Sequence, residues 1–187
     1  MIDDINKALE VLRKGGIILY PTDTIWGIGC DATNSDAVAR IYTLKQREET
    51  KSMLVLGDNP NRILRYVKEV PEMAWQLLEV NDKPMTIIYP GAINLAPNLI
   101  NSDRTIGIRI TNDPFCQTLI SKLNRPIVST SANISSQPSP VIFDEISDEI
   151  KNGVDYVAKW RQDDINKRPP SQIIKLGLGG EIEILRK

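Results

Sequence analysis

The clearest structural signal in the sequence is residues 17–31, which read IILYPTDTIWGIGCD. The first four residues are apolar and Pro21 follows them directly, which predicts a short buried strand that ends at the proline. Thr22, Asp23 and Thr24 then place two hydroxyls and a carboxylate in a turn just beyond the strand. Because open α/β sheets bind ligands at the ends of their strands, this turn is a candidate ligand site.

Strands and helices are expected to alternate along the rest of the chain. A first helix is predicted over 5–12, with Asp3 or Asp4 as its cap and Gly15-Gly16 as its stop. Further strands are predicted at 53–56, 85–89, 106–110, 126–129, 154–157, 172–176 and 181–185, and further helices from Ser35, from Asn59, after Pro71, at 114–123 and near 144–151. Residues 129–141 are rich in Ser and Pro and predict a loop. The alternation indicates a layered α/β or α+β fold in one domain, residues 1–187.

Two glycines in the first segment, Gly27 and Gly29, permit a close backbone approach or a positive φ. The six residues from Gly27 also match the dinucleotide-binding pattern G-x-G-x-x-A. That pattern requires a helix to begin within it, whereas the next helix is expected only from Ser35. A plain turn is the alternative interpretation of the two glycines.

Composition excludes several classes of protein. The 187 residues are 41% hydrophobic and 25% charged, which is typical of a globular domain and excludes collagen, coiled coil and general disorder. Lys and Arg total 23 against 24 Asp and Glu, so any contact with nucleic acid would be local. Because the chain contains no histidine, a Ser-His-Asp triad and a His-ligated zinc site are both excluded.

The sequence also indicates a cytoplasmic protein. Cys30 and Cys116 form no C-x-x-C pair and are expected to be reduced, buried thiols. The opening residues MIDDINKALE are acidic and amphipathic, unlike a secretory signal. No apolar run approaches the roughly 20 residues that a membrane-spanning helix needs.

A cluster of cations follows the predicted second helix. Lys45 and Arg47 point to opposite sides of a helix, so they can converge only where that helix has ended. With Lys51 they form a plausible seat for a triphosphate or a carboxylate. Glu48 and Glu49 between them leave a solvated helix end as the alternative. The sequence contains no G-x-x-x-x-G-K-[ST], so a P-loop is excluded.

Polar residues at other strand ends complete the candidate site. Ser131 and Asn133 lie in STSAN directly after an apolar strand, where an ordinary turn is the alternative. Ser171 precedes one strand and Arg186 ends another. Arg109 is the one cation in the apolar run IGIRI and must therefore face either water or an anion.

In their order along the chain, these segments resemble the YrdC-like family of threonylcarbamoyl-AMP synthases. The matching segments are PTDTIWGIGCD, KQREETKSM, KPMTIIYPG, TIGIRI, STSANISSQPSP, PPSQIIKL and ILR. The resemblance implies a twisted mixed β-sheet, flanked by helices around a deep basic cavity, without the C-terminal domain of longer members. It implies synthesis of threonylcarbamoyl-AMP and pyrophosphate from L-threonine, bicarbonate and ATP. A separate complex would then transfer the threonylcarbamoyl group to tRNA, with direct RNA contact possible.

The resemblance also assigns roles to individual residues. ATP would be bound by Lys45, Arg47, Lys51, Asn133 and Arg186, and threonine by Thr24, Arg109, Ser131 and Ser171. Mg²⁺ would arrive with ATP, and no protein-held metal and no general base is assigned. The chain departs from the family pattern at Trp26, Leu56, Ser136, Val141 and Gln172. The alternatives are a non-catalytic RNA-binding relative, which the low aromatic content of 5% disfavours, and another ATP- or carbamoyl-using transferase.

Overall fold

The computed structural model describes residues 1–50 and 53–187 of the chain. Five α-helices lie in these ranges: α1 Ile2–Arg13, α2 Ser35–Leu44, α3 Glu72–Val80, α4 Pro114–Leu123 and α5 Asp148–Gly153. Three short 3₁₀ helices occupy Pro60–Arg65, Pro97–Leu99 and Phe143–Glu145. None of the helices in these ranges combines the length and the apolar composition required to cross a lipid bilayer.

The strands of this described chain form one mixed sheet. They are β1 Ile18–Tyr20, β2 Gly27–Gly29, β3 Leu54–Gly57, β4 Met85–Tyr89, β5 Ile106–Ile110, β6 Ile127–Ser131, β7 Tyr156–Val157, β8 Gln172–Leu176 and β9 Ile182–Arg186. Their order across the sheet is β7-β1-β2-β6-β3-β5-β4-β8-β9. The pairs β1–β7, β3–β5 and β4–β8 are parallel and the others are antiparallel. The predicted α/β class, a mixed sheet with flanking helices, is confirmed.

One face of the sheet is covered by helices. Helix α1 buries Ile5, Ala8, Leu9 and Leu12, which recur at helical spacing, and it packs against α4. Ile120 of α4 lines the same small cleft as Val55 of β3 and Ile108 of β5, so α4 lies on the face to which these two residues point. The hydrophobic core therefore occupies this side, and the opposite side chains of β3 and β5 face away from it.

The predicted cap of α1 is wrong. The N-cap residue is Met1, with no side-chain capping bond. Asp4 is buried instead, because its carboxylate accepts the backbone N–H groups of Lys159 and Trp160 and the hydroxyl of Tyr156. The acidic side chain thus joins the first helix to the chain that follows β7.

Strand β2 lies at Gly27–Gly29, where no strand was predicted from the sequence. The glycines weaken the local strand signal, but the sheet requires them. A Cβ at Gly29 would lie 2.4 Å from the carbonyl oxygen of Val128 and 2.7 Å from Cε1 of Tyr20. Any side chain at this position would force neighbouring strands apart.

Three other predicted boundaries also differ from the structure. The loop expected from residue 129 begins later, because β6 continues to Ser131, which pairs with Gly27. The helix expected from Asn59 is the 3₁₀ turn Pro60–Arg65. The helix expected near 144–151 is divided, because the side chain of Ser147 caps a new helix, α5.

Candidate active site

The face of the sheet opposite α4 opens into a cavity of about 450 Å³. Side chains alternate along a strand, so Leu54, Gly107 and Arg109 point to this side while Val55 and Ile108 point to the core. The described residues around the cavity are Thr22, Thr24, Ile25, Trp26, Gly27, Arg47, Met53, Leu54, Thr86, Ile88, Asn101, Gly107, Arg109, Ser129, Thr130, Ser131, Ser139, Val141, Arg168, Pro170, Ser171, Ile173 and Arg186. Six of the predicted site residues are among them.

The floor of the cavity depends on a glycine in the middle of β5. A Cβ at Gly107 would lie 3.3 Å from Cγ2 of Thr86 and 3.4 Å from Cβ of Leu54. These separations are tight for carbon atoms, so a side chain here would both crowd its neighbours and project into the cavity. No role was predicted for Gly107 from the sequence.

The cavity is positively charged. Its walls include the side chains of Arg47, Arg109, Arg168 and Arg186, and within the described chain no Asp or Glu lines it. Burial, followed by repulsion from Arg109, lowers the pKa of the Arg186 guanidinium. The cations from separate strands and loops therefore share one space, which suits an anionic ligand.

Arg109 is almost completely buried and is held against the turn after β1. Its Nη2 lies 3.1 Å from Oδ1 of Asp23, and its Nη1 donates a hydrogen bond of 3.0 Å to the hydroxyl of Thr24. A buried cation was expected to need an anionic partner, and in the structure that partner is Asp23. Asp23 was not among the predicted site residues. Among the described residues, Nε of Arg109 has no hydrogen-bond partner. A buried donor without a partner is uncommon in folded proteins and calls for an explanation.

Ser171 and Arg186 lie together on the opposite side of the cavity. Nε of Arg186 donates to the carbonyl oxygen of Ser171 at 2.8 Å, and Nη2 lies 3.2 Å from the Ser171 hydroxyl. The same hydroxyl is 2.9 Å from Oγ1 of Thr86 on β4. The arginine at the end of β9 is thus oriented by the residue that precedes β8.

Lys45 lies behind the cavity wall. Helix α2 ends at Leu44, and Nζ of Lys45 donates to the carbonyl oxygens of Ser131 and Asn133 at 2.5 and 2.6 Å. Burial, and after it the charge of Arg47, lowers the pKa of the Lys45 ammonium to about 8. In this structure Lys45 holds the chain that follows β6.

Asn133 acts in the same loop. Its Nδ2 donates to the carbonyl oxygens of Ile134 and Gln137 at 3.0 and 2.7 Å. Neither Asn133 nor Lys45 is among the described residues that line the cavity. Both instead fix the loop that follows Ser131, and Ser131 does line the cavity.

Arg47 is directed to the cavity by an abrupt end to α2. Gln46 adopts a φ of 50°, in the left-handed region, and the backbone N–H of Arg47 bonds to the carbonyl of Tyr42. Helix α2 has therefore ended before Arg47, as the convergence of Lys45 and Arg47 would require. Lys51, the third predicted cation, lies outside the described residues.

The departures from the family pattern have distinct positions. Trp26 and Val141 line the cavity, and the Trp26 ring lies 4.9 Å from that of Phe143. Leu56 is fully buried. Ser136 has a φ of 68°, a conformation that favours glycine. Gln172 is half-buried at the start of β8.

Of the four arginines that line the cavity in the described part of the chain, Arg168 is the one that was not predicted from the sequence. It lies in the segment KWRQDDINKRPP, residues 159–170, where mixed charges indicate an ordinary solvated loop. No spacing in this segment points to a shared cavity. Its position becomes apparent only when the loop folds back beside Thr22 and Thr24.

The fold and site define an α/β protein whose mixed sheet carries an arginine-lined cavity on one face. The model of the Sua5/YciO/YrdC family, described as telomere recombination, matches residues 10–187. The chain belongs to this family, as its sequence motifs predicted.

Known proteins with a similar sequence or structure agree with this assignment. The threonylcarbamoyl-AMP synthase of Hahella chejuensis is 34% identical over 90% of this chain and 91% of its own. Escherichia coli YciO superimposes with a TM-score of 0.83 at 26% identity, over 98% of this chain and 88% of its own. Sua5 of P. abyssi, in complex with L-threonine, superimposes with a TM-score of 0.80 at 25% identity over 92% of this chain. The chain spans about half the length of that Sua5 chain.

Proposed function

We propose that this protein is a threonylcarbamoyl-AMP synthase, which condenses L-threonine, bicarbonate and ATP into threonylcarbamoyl-AMP and pyrophosphate. The observation that carries the proposal is the convergence of Arg47, Arg109 and Arg186 in one cavity with the hydroxyls of Ser131 and Ser171. A volume of about 450 Å³ is within the usual range for small-molecule sites. The naming of related proteins as threonylcarbamoyl-AMP synthases supports the same reaction.

Threonine would occupy the part of the cavity beside β5 and the turn after β1. Nε of Arg109 is a buried donor without a described partner, and a substrate carboxylate would satisfy it. The hydroxyls of Thr24, Ser131 and Ser171 are the remaining proposed contacts. That a Sua5 structure contains L-threonine supports an amino-acid site in this fold.

ATP would be held by Arg47 and Arg186, with Lys51 as a third cation on the evidence of sequence alone. Lys45 and Asn133, predicted as direct ATP contacts, are proposed here to act by holding the loop after β6. Within residues 1–50 and 53–187, no group of three or more His, Cys, Asp or Glu side chains could hold a metal ion. Mg²⁺ would accordingly be carried by the phosphates of ATP.

The proposed reaction depends on cations and hydrogen-bond donors more than on a general base. The threonine amine and bicarbonate give a carbamate with loss of water. A carbamate oxygen then attacks the α-phosphorus of ATP, and the bond from that phosphorus to pyrophosphate breaks. The arginines would offset the negative charge that accumulates and would keep the reacting groups in line. The product would pass to a separate complex that modifies tRNA.

Pyrophosphate release from purified protein tests the proposal. Release is expected with ATP, L-threonine and bicarbonate together and is expected to stop when either threonine or bicarbonate is omitted. Arg47→Ala should reduce it, whereas Arg40→Ala, which breaks an exposed ion pair with Asp155, should not. ATP binding without pyrophosphate release in any mixture would contradict the proposal and favour the non-catalytic relative.

A further inference from the structure

We propose that Arg168 is an additional substrate-binding residue, which binds an anionic oxygen group of the substrates at the cavity. The inference rests on the proposed function and adds a residue to the same site. Its side chain lines both the main cavity and a small adjoining cleft whose walls include Thr22, Thr24 and Trp26. About one third of the Arg168 side chain is exposed.

An ion-pair network holds Arg168 in this position. Nη2 of Arg168 lies 2.9 Å from Oδ2 of Asp164, and Nε of Arg161 lies 3.2 Å from the same oxygen. The other carboxylate oxygen of Asp164 accepts the backbone and side-chain N–H groups of Asn166 at 3.0 and 2.8 Å. Asp164 is therefore fixed from several sides and in turn fixes Arg168.

Arg161 joins this network to the predicted threonine-binding turn. Its Nη1 donates to Oδ2 of Asp113 at 2.6 Å and its Nη2 donates to the carbonyl oxygen of Thr22 at 3.1 Å. Arg161 adopts a φ of 63°, an uncommon conformation for a side-chain-bearing residue, which these bonds maintain. The loop that carries Arg168 is thereby tied to the turn that carries Thr24.

The chemistry of Arg168 suits a negatively charged ligand. A guanidinium carries five N–H donors, and the bond to Asp164 leaves donors for a bidentate contact. The substrates offer two groups with this chemistry, namely the phosphate chain of ATP and the carboxylate of threonine.

Steady-state kinetics of pyrophosphate release with Arg168→Gln, varying ATP and threonine separately, tests the inference. We expect the KM of one substrate to rise about tenfold, the effect of a lost charged contact. A rise in the KM for ATP would show that Arg168 binds the phosphates, and a rise in the KM for threonine would show that it binds the carboxylate. Arg168→Lys should recover part of the loss, because it keeps the charge without the planar donors.

Two further variants separate binding from structural damage. Lys167→Gln removes the adjacent exposed cation, which does not line the cavity, and should leave both KM values unchanged. Asp164→Asn should raise the same KM as Arg168→Gln, by a smaller factor. KM values for both substrates within twofold of the wild-type values in Arg168→Gln would overturn the inference. A wild-type protein that releases no pyrophosphate would instead contradict the proposed function itself.

Discussion

The guanidinium of Arg109 and the carboxylate of Asp23 lie 3.1 Å apart beneath the cavity, with 4% and 14% of their side chains exposed. The pair joins β5, in the middle of the sheet, to the turn that follows β1. The two residues are 86 positions apart in the sequence. This ion pair positions the Thr24 hydroxyl, to which Arg109 also donates.

Replacement of Arg109 by Met should weaken threonine binding more than ATP binding. We expect the KM for threonine to rise at least about tenfold with a smaller change for ATP, because a charged contact to the amino acid is lost. The free energy of unfolding should also fall by about 3–5 kcal/mol, since Asp23 would be left buried without its partner. Pyrophosphate kinetics and urea denaturation measure the two effects.

A second substitution separates these effects. Asp23→Asn in the Arg109→Met background removes the unpaired charge and should restore part of the lost stability. The threonine KM should remain high in this double variant. The contrary result would be an equal rise in the KM values for threonine and ATP in Arg109→Met that Asp23→Asn reverses. That result would show that Arg109 acts only through the stability of the fold.

Lys45 should make stability depend on pH in the alkaline range. Its pKa is about 8 in the folded protein, against an ordinary value of 10.5. Between these values the unfolded chain binds more protons at this site, so its contribution to the free energy of unfolding rises with pH. The slope is at most about 1.4 kcal/mol per pH unit.

Lys45→Met removes this contribution. Chemical denaturation of both proteins from pH 8 to 9.5 should show that the free energy of unfolding of the wild type rises with pH relative to that of Lys45→Met. The buried thiols of Cys30 and Cys116, whose pKa values burial raises, titrate in both proteins and cancel in this difference. Parallel curves for the two proteins would mean that the buried ammonium has an ordinary pKa. Reduced affinity for ATP in Lys45→Met would follow from a displaced loop after β6.

Trp26 should report ligand binding by its fluorescence. The ring lines the cavity and is 4% exposed, so a nucleotide in the cavity would change its surroundings. Titration with ATP should produce a saturable change in emission that Trp26→Phe abolishes and Trp75→Phe retains. Trp75 lies on α3, away from the residues that line the cavity. A change that survives Trp26→Phe would place the nucleotide elsewhere.

The sequence predicted those features that depend on local patterns. The strands Met85–Tyr89 and Ile106–Ile110 agree with the predicted ranges, because a buried strand needs a short apolar run and both have one. Strand β2 was missed, since Gly27–Gly29 has little strand propensity and is retained by close packing between strands. The strand propensity of single residues carries no information about this packing between strands.

The residues of the site also divide into those that a local sequence pattern indicates and those that only the fold brings together. Arg109 could be selected from sequence because a cation in an apolar strand is conspicuous, but its partner Asp23 could be identified only in three dimensions. Arg168 is one cation among many in a charged loop, and only folding brings it to the cavity. Lys45 was selected as a member of a cation cluster, yet the direction of its side chain is set by carbonyl groups of a distant loop.

Mass spectrometry of the reaction product tests the central claim most directly. The protein is incubated with ATP, L-threonine and isotopically labelled bicarbonate, and the nucleotides are analysed before the product decomposes. The proposed function predicts threonylcarbamoyl-AMP that contains the label, formed together with pyrophosphate. Recovery of ATP unchanged, or conversion to ADP or AMP with no labelled threonine adduct, would contradict it.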